Sequence, residues 1–277
     1  EKTTLIETSA SPSIPYILEG LKQLNINPQD IEYIIVTHIH LDHAGGAGLM
    51  LQHCPNATLI VHPKGARHLV DPSRLIAGAR AVYGDDFNHL FDPIIPISED
   101  RIKVVADGEQ LDIQERTFTF YHTPGHANHH IAIHDSVTNG IFTGDTAGIY
   151  YRELDDEKFN LIMPSTSPSQ FDPEAMLKSI QLFSDLKANS IFFGHYGQNN
   201  HPEEVYEQIR HWLPIFIAQG EKAMDKPLSF EDRVQDTTDS LMTICTEFLL
   251  SKGLTKEHPL FEILSLDLSV YAKVIID

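Results

Sequence analysis

Short apolar runs rich in β-branched residues alternate with segments of helical spacing over the first two thirds of the chain. Ile34, Ile35 and Val36 end one such run, whose length and composition are typical of a buried strand. Apolar side chains between residues 12 and 24 instead recur at helical spacing, which predicts an amphipathic helix. Further strands are predicted over residues 3–7, 58–62, 102–105, 109–113, 117–121, 131–134, 140–143 and 189–193. The pattern predicts an α/β protein.

The last third of the chain has a helical pattern only. Helices are predicted over residues 169–186, 202–223, 229–250 and 259–276. We therefore expect a first domain over residues 1–200 and a helical extension over residues 201–277 that packs on it. Residues 68–100 form a longer connection than two strands require, and such segments often act as lids or specificity loops. This insertion contains Arg80, Tyr83 and Phe87.

Charge narrows the range of partners. The 277 residues include 20 basic and 39 acidic side chains, which give a formal net charge of −19. A surface this acidic repels phosphate backbones, so we expect a small-molecule partner and no nucleic acid. The sequence has no apolar run long enough to span a membrane.

The remaining composition says little about chemistry. Cys54 and Cys245 lie far apart in sequence, and we expect both to be structural. No signal peptide is visible, so we expect a cytoplasmic protein. The chain begins at Glu1 without a methionine, which is compatible with a removed N-terminal segment.

The densest group of polar side chains follows the strand that ends at Val36. Within six residues the chain places His38, His40, Asp42 and His43. Imidazole and carboxylate groups are preferred ligands of zinc and related divalent ions. An extended backbone directs His38 and His40 to the same side, and a turn after them lets the next two side chains face a second point. The loop can therefore supply ligands to two metal ions.

This motif resembles that of the metallo-β-lactamase superfamily, a large group of mostly metal-dependent hydrolases. The resemblance implies three further ligands, each after a predicted strand: His126 in Thr-Pro-Gly-His, Asp145 in Thr-Gly-Asp and His195 in Phe-Gly-His. It covers about residues 1 to 200. It implies an αββα sandwich, here with a C-terminal helical extension.

By the same resemblance, two divalent metal ions share these ligands. We expect zinc, although iron or manganese would also suit the ligands. The first ion would be bound by His38, His40 and His126, the second by Asp42, His43 and His195, and Asp145 would bridge both. A hydroxide between the metals would attack the substrate. Asp42 is the residue expected to act nearest to a general base.

Several other side chains near the motifs are candidates for supporting roles. Family members have an aspartate after the first strand, where this chain has Glu7 and Thr8. His126 has four histidine neighbours that compete with it for a ligand role, namely His122, His129, His130 and His134. Substrate contacts are expected from Tyr150 and Tyr151, which follow Asp145 closely. Tyr196 and His201 are weaker candidates.

Three classes of function remain open. The first is hydrolysis of a small carbonyl substrate, namely a lactone, an ester or a thioester, since the run from His40 to Gly46 resembles both lactonases and glyoxalase II. Phosphodiester hydrolysis at the same site is the nearest alternative. The second class is a di-iron redox or oxygen-sensing domain, although such domains usually carry glutamate at the position of His40. The third is a binding module without catalysis. The helical extension would either help to build the substrate pocket, as in glyoxalase II, or mediate packing in a homodimer.

Overall fold

The computed structural model describes residues 3–166, 170–195 and 197–276, and the chain forms two compact units. The first unit contains residues 1–123 and 128–144, and the second contains residues 124–127 and 145–277. The boundary expected at residue 200 falls inside the second unit, because the helices after it share an apolar core with residues from Tyr151 to Met163.

A parallel sheet and its helices form the first part of the first unit. The elements are β1 (Thr3–Ile6), α1 (Ile14–Gln23), β2 (Ile31–Ile35), α2 (Leu41–Ala44), α3 (Ala47–His53), β3 (Thr58–Val61), α4 (Pro63–Val70), α5 (Ser73–Tyr83), α6 (Phe87–Phe91) and β4 (Ile102–Val104). The four strands lie in the order β1-β2-β3-β4, and every neighbouring pair is parallel. The insertion, expected as a lid or loop, is largely helical, since it contains α5 and α6.

An antiparallel sheet completes the first unit. Its strands are β5 (Gln110–Ile113), β6 (Arg116–His122), β7 (Ile131–Asp135) and β8 (Gly140–Gly144). Each strand pairs with the next one in sequence. The turn between β5 and β6 is Gln114-Glu115, as the sequence predicted, and residues 136–139 connect β7 to β8. The other predicted turn, Asp107-Gly108, lies before this sheet, between β4 and β5.

Strand alternation gives this unit two apolar cores. In β2 and the residue after it, Ile34 and Val36 pack with the helices, whereas Ile35 packs against the antiparallel sheet. The same alternation occurs in β3, where Ile60 joins the core between the sheets. Because both faces are covered at the centre of the parallel sheet, the end of β2 and most of β3 are apolar at successive positions rather than alternating. The buried end of β2 is thereby fixed, and with it the start of the histidine-rich loop.

The second unit is mainly helical. Its elements are β9 (Ile149–Tyr150), β10 (Ile162–Met163), α7 (Pro173–Asp185), β11 (Ser190–Phe193), β12 (Gln198–Asn199), α8 (Pro202–Met224), α9 (Phe230–Ser251) and α10 (Leu260–Ile276). The three predicted C-terminal helices are confirmed. They share one apolar core that includes Trp212, Leu241 and Leu264. The residue predicted to start the preceding helix, Ser169, lies outside the described residues, and Asp172 caps the observed α7.

In the part of the chain that the structure describes, every helix is too short or too polar to cross a bilayer. Both cysteines are buried, and burial raises the pKa of Cys54 to about 11 and that of Cys245 to about 12. Because the thiolate is the reactive form, these values agree with structural roles.

His62 is a buried titratable group that stabilises the start of α4. Its Nδ1 accepts a hydrogen bond from the backbone N–H of Lys64 at 3.0 Å, and its ring lies 4.1 Å from the ring of His122. Burial, with smaller contributions from His122 and Lys64, lowers the pKa of His62 to about 4. The folded protein therefore keeps this ring neutral at pH values where the unfolded chain would protonate it.

This difference predicts a pH-dependent loss of stability. The contribution of His62 is fully present above its usual pKa of about 6.5 and is lost as the pH falls toward 4, by up to about 3 kcal/mol. His62→Asn retains a capping acceptor but does not titrate. In urea unfolding with chelator present, we expect the free energy of unfolding of the wild type to fall by about 2 kcal/mol more than that of the variant between about pH 7 and pH 4.5. Equal losses in both proteins would contradict the assignment.

Candidate metal centre

The first ligand group, His38, His40, Asp42 and His43, lies directly after β2 in the first unit. The backbone stays extended as far as His40 and then turns into the four-residue helix α2. Asp42 and His43 therefore project from a helical turn, whereas His38 and His40 project from an extended segment. The structure thus has the change of direction that the sequence indicated.

The histidines of this group lie close together. His38 Nε2 is 2.9 Å from His40 Nδ1, and the ring centroids of His38 and His43 are 4.1 Å apart. His38 and His43 are almost fully buried. Neutral imidazoles at this distance must share either a proton or a cation, because two lone pairs cannot face each other without repulsion. The donor set fits a divalent transition ion.

Glu7 holds the loop from the end of β1. Its Oε1 accepts a hydrogen bond from the backbone N–H of Thr37 at 2.7 Å, and its Oε2 lies 2.9 Å from His43 Nδ1. Glu7 has a positive φ of 69°, which ends the strand one residue earlier than expected and turns the carboxylate toward the loop. The carboxylate thereby orients the His43 ring so that Nε2 faces Asp42 Oδ2, at 3.5 Å. Glu7 thus makes a supporting contact with the loop where the family has an aspartate.

Other partners fix the remaining rings of the first group. Thr37 Oγ1 lies 3.0 Å from His38 Nδ1, so His38 presents Nε2. His130 stacks on His38 with ring centroids 5.1 Å apart, and its Nδ1 contacts Thr123 Oγ1 at 2.9 Å. Gly144 is required here, because a Cβ at its positive φ of 47° would overlap His130 and Thr37.

His129 also packs on the loop. Its ring lies 5.4 Å from that of His40, and its Nδ1 accepts a weak hydrogen bond from the backbone N–H of Ile39 at 3.5 Å. His129 and His130 therefore contact the loop through ring packing and backbone or hydroxyl partners.

The second ligand group, His126, Asp145 and His195, belongs to the second unit. Asp145 Oδ2 lies 3.7 Å from His126 Nε2 and 3.5 Å from His195 Nε2. The side chain of Asp145 is almost fully buried, and Ser165 Oγ donates to the same oxygen at 3.3 Å. One carboxylate oxygen facing two imidazole nitrogens is the arrangement expected where cations lie between a carboxylate and its histidine neighbours.

The turn before His126 depends on α7. Gly125 has a φ of 138°, and a Cβ there would overlap the backbone of Met176. The Gly125 carbonyl accepts from the backbone N–H of Asp172 at 2.8 Å. On the other side of the ring, the Ser165 carbonyl lies 3.1 Å from His126 Nδ1, which leaves Nε2 toward Asp145.

The competing histidines on β6 and β7 have other contacts. His122 Nε2 lies 3.0 Å from the carbonyl of Val105, and its ring packs on His62. His134 Nε2 lies 2.9 Å from the side-chain oxygen of Asn139. Both rings therefore have protein partners of their own, and the choice of His126 as the ligand stays a prediction.

The two tyrosines after Asp145 have carboxylate partners. Tyr150 donates to Asp155 at 2.7 Å, and burial together with this bond raises the pKa of Tyr150 to about 12. Tyr151 is buried and donates to Asp267 of α10 at 2.7 Å. Each hydroxyl would have to leave its partner in order to contact a substrate, so the substrate contacts remain predictions. Tyr196 lies outside the described residues.

Asp267 was not identified from the sequence. It lies in the last helix, and burial raises the pKa of its carboxyl group, while Tyr151 and the nearby His195 oppose this rise. No local motif marks this aspartate, because its environment depends on the packing of α10 against the segment around Tyr151. Ser165 was also missed, because no local motif marks a residue that contacts His126 through its backbone carbonyl and Asp145 through its hydroxyl.

The role of Glu7 can be tested by removing its charge. Glu7→Gln keeps an acceptor for Thr37 but weakens the bond that orients His43, so we expect zinc affinity to fall about 10- to 100-fold. Competition with a chromophoric chelator measures this change. Glu19→Gln is the matched control, since Glu19 is an exposed residue of α1. Unchanged zinc affinity in Glu7→Gln would show that the carboxylate has no part in metal binding.

Comparison with known proteins places this chain in a family. The model of the metallo-β-lactamase superfamily matches residues 1–195. The metallo-β-lactamase fold-containing protein ST1585 of Sulfurisphaera tokodaii is 28% identical over 186 residues, which are 66% of this chain and 67% of that protein. The crystal structure of ST1585 matches with a TM-score of 0.62 at 25% identity and covers 76% of each chain.

Two relatives carry names that state an activity. N-acyl homoserine lactonase AttM of Rhizobium radiobacter is 25% identical over 64% of this chain and 63% of AttM. Rubredoxin-oxygen oxidoreductase of Megalodesulfovibrio gigas is 27% identical over 44% of this chain and 25% of that protein. The chain therefore spans less than two thirds of the length of either relative.

The structural match confirms the predicted αββα sandwich with C-terminal helices. The family match covers the predicted residues of both ligand groups, from His38 to His195. On this evidence the chain belongs to the metallo-β-lactamase superfamily.

Proposed function

We propose that this protein is a dinuclear metal-dependent hydrolase that attacks a small carbonyl substrate, namely a lactone, an ester or a thioester. The observation that carries the proposal is the complete ligand set, with histidine at position 40 and with each ligand group already oriented inside its own unit. His43 is oriented by Glu7 at 2.9 Å and His126 by the Ser165 carbonyl at 3.1 Å. Such orientation is typical of ligands that are prepared for a metal rather than for packing.

The ligand types support two ions of the zinc, iron or manganese class. All seven side chains are imidazoles or carboxylates, and the set contains no thiolate. The first ion would take His38, His40 and His126, the second would take Asp42, His43 and His195, and Asp145 would contact both. When bound, such ions polarise a carbonyl and lower the pKa of a water molecule.

Asp42 is proposed as the residue that accepts and holds the proton of the attacking water. Its carboxylate is half exposed and its Oδ2 lies 3.5 Å from His43 Nε2. A carboxylate that is partly open to solvent can reach both a ligand ring and an incoming nucleophile. The buried Asp145, by contrast, has no such access, which suits a purely structural and electrostatic role.

The substrate class rests on two further observations. Similarity to the lactonase AttM supports a carbonyl substrate. The net charge of −19 disfavours a polymeric phosphodiester. Both observations are compatible with a cytoplasmic protein that acts on a small molecule as a monomer or a homodimer.

Redox chemistry is the second candidate, because rubredoxin-oxygen oxidoreductase is among the relatives. Histidine rather than glutamate at position 40 argues for hydrolysis. Hydrolysis of a carbonyl substrate releases acid, whereas the redox alternative consumes oxygen, so one set of assays separates the two candidates.

The first experiment offers the metal-loaded protein four substrates in a weakly buffered indicator assay. These are an acyl-homoserine lactone, a glutathione thioester, an aryl ester and a bis-aryl phosphodiester. We expect acid release from one or more of the carbonyl substrates and none from the phosphodiester. Turnover of the phosphodiester alone would refute the carbonyl assignment, and oxygen consumption in place of acid release would establish the redox alternative.

Asp145 provides the second test. In Asp145→Ala we expect both metal occupancy and kcat/KM to fall, the latter by about a hundred-fold or more, because the residue proposed to contact both ions is lost. Metal content is measured by elemental analysis and activity by the same acid release. Asp239→Ala, on the exposed side of α9, is the control. A variant that lost one metal but kept full activity would disprove the bridging role.

A further inference from the structure

The insertion over residues 68–100 is anchored on the metal loop within the first unit. Phe87 and Phe91 of α6 form one apolar cluster with Leu41 and Ala10. Leu41 is the residue between His40 and Asp42, so the cluster includes the backbone that carries two predicted ligands. Partly buried side chains extend this cluster along the insertion, namely Leu75, Ile76, Ala79 and Ile94.

Hydrogen bonds and a cation–π contact make the insertion a defined surface rather than a loose loop. Ser11 Oγ donates to the carbonyl of Pro93 at 2.6 Å. The guanidinium of Arg80 lies 4.5 Å from the Phe87 ring centroid and donates to Asn88 Oδ1 at 3.0 Å. Arg80 therefore connects α5 to α6 and fixes the end of α5 relative to the cluster.

Tyr83 is the last residue of α5 and lies at the edge of this cluster. Its ring packs on Phe91 at 5.0 Å with an interplanar angle of 64°, an edge-to-face arrangement that aromatic pairs prefer. Phe91 in turn belongs to the cluster of Leu41. Burial, and then the negative charge of Asp42, raises the pKa of Tyr83. Through Phe91, Tyr83 therefore packs on the cluster that contains Leu41, the residue before Asp42.

The same end of the insertion exposes apolar surface. Tyr83 is 46% exposed, Val82 62% and Leu90 40%. A tyrosine that only filled a core would be covered, whereas Tyr83 packs its ring on Phe91 and remains 46% exposed. An exposed aromatic side chain that packs, through Phe91, on the metal loop is suited to contact a bound molecule.

We propose that Tyr83 is a specificity-determining residue whose ring contacts the apolar group attached to the substrate carbonyl carbon. This inference rests on the proposed hydrolase function and narrows it to substrates with an apolar acyl chain. The ring, not the hydroxyl, makes the contact, since the Tyr83 ring packs on the apolar Phe91 and the neighbouring residue in sequence is the exposed, apolar Val82. Short acyl groups would gain little from this surface, and longer ones would bury more of it.

The test compares esters of one leaving group, p-nitrophenol, with acetyl, butyryl and octanoyl chains. We expect the wild type to prefer the octanoyl ester, with the preference residing in KM. In Tyr83→Ala the ratio of kcat/KM for octanoyl over acetyl should fall about ten-fold, as expected when a large apolar contact is lost. Tyr83→Phe retains the ring and should retain the ratio within about two-fold.

Control variants separate this role from a general effect on the fold. Tyr16→Ala removes another exposed tyrosine of the first unit, 80% accessible on α1, and should leave the ratio unchanged. If Tyr83→Ala fails to fold, Tyr83→Gln provides a polar side chain of similar length. A wild type without chain-length preference, or a Tyr83→Ala protein with an unaltered ratio, would overturn the proposal, as would loss of the ratio in Tyr16→Ala.

A binding measurement distinguishes failure of this inference from failure of the proposed function. Octanoate and acetate are titrated into the metal-loaded wild type and Tyr83→Ala by calorimetry. Tighter binding of octanoate that depends on Tyr83, in a protein that hydrolyses none of the lactone, thioester and ester substrates, would support the apolar site and refute the proposed hydrolase. Ester hydrolysis, with equal binding of octanoate to the wild type and to Tyr83→Ala, would support the hydrolase and refute the apolar site at Tyr83.

Discussion

The contact between Glu7 and the metal loop is the constraint on which the first unit depends. One carboxylate receives the backbone N–H of Thr37 and faces His43 Nδ1, so it fixes both the start of the loop and the tautomer of a ligand. It does so from a residue in the left-handed region, a conformation that costs a non-glycine residue of the order of 1 kcal/mol. Such a cost is retained where the surrounding contacts require one geometry.

Buried polar groups explain why the supporting contacts are so numerous. His38, His43 and Asp145 are almost inaccessible to water, and an unpaired polar atom in that environment is strongly unfavourable. Thr37 satisfies one nitrogen of His38, Glu7 satisfies one nitrogen of His43, and the Ser165 carbonyl does the same for His126. Because one nitrogen of each of these rings contacts a protein group, the direction of the other nitrogen is fixed. This limits the ligand atoms to a small set of arrangements before any metal binds.

The insertion and the helical extension act on different ligand groups. The insertion packs on Leu41, and Tyr83 packs on Phe91 of the same cluster. The extension contributes Asp267, which receives the hydroxyl of Tyr151 and lies near His195. Neither segment supplies a predicted metal ligand. Both supply neighbours to ligands, and this is the usual way in which one catalytic fold is adapted to different substrates.

The sequence by itself determined most of the elements and indicated the predicted ligands, because both follow from local order. Apolar runs and helical spacing predicted every described strand except the two-residue β9, β10 and β12, together with the three C-terminal helices, and His38, Asp145 and His195 each follow a strand within a few residues. Only the tertiary structure decided the supporting contacts. Glu7 lies 36 residues from His43, and Tyr151 lies 116 from Asp267. Partners so distant in sequence meet through the packing of whole elements, and no local pattern of side chains encodes that packing.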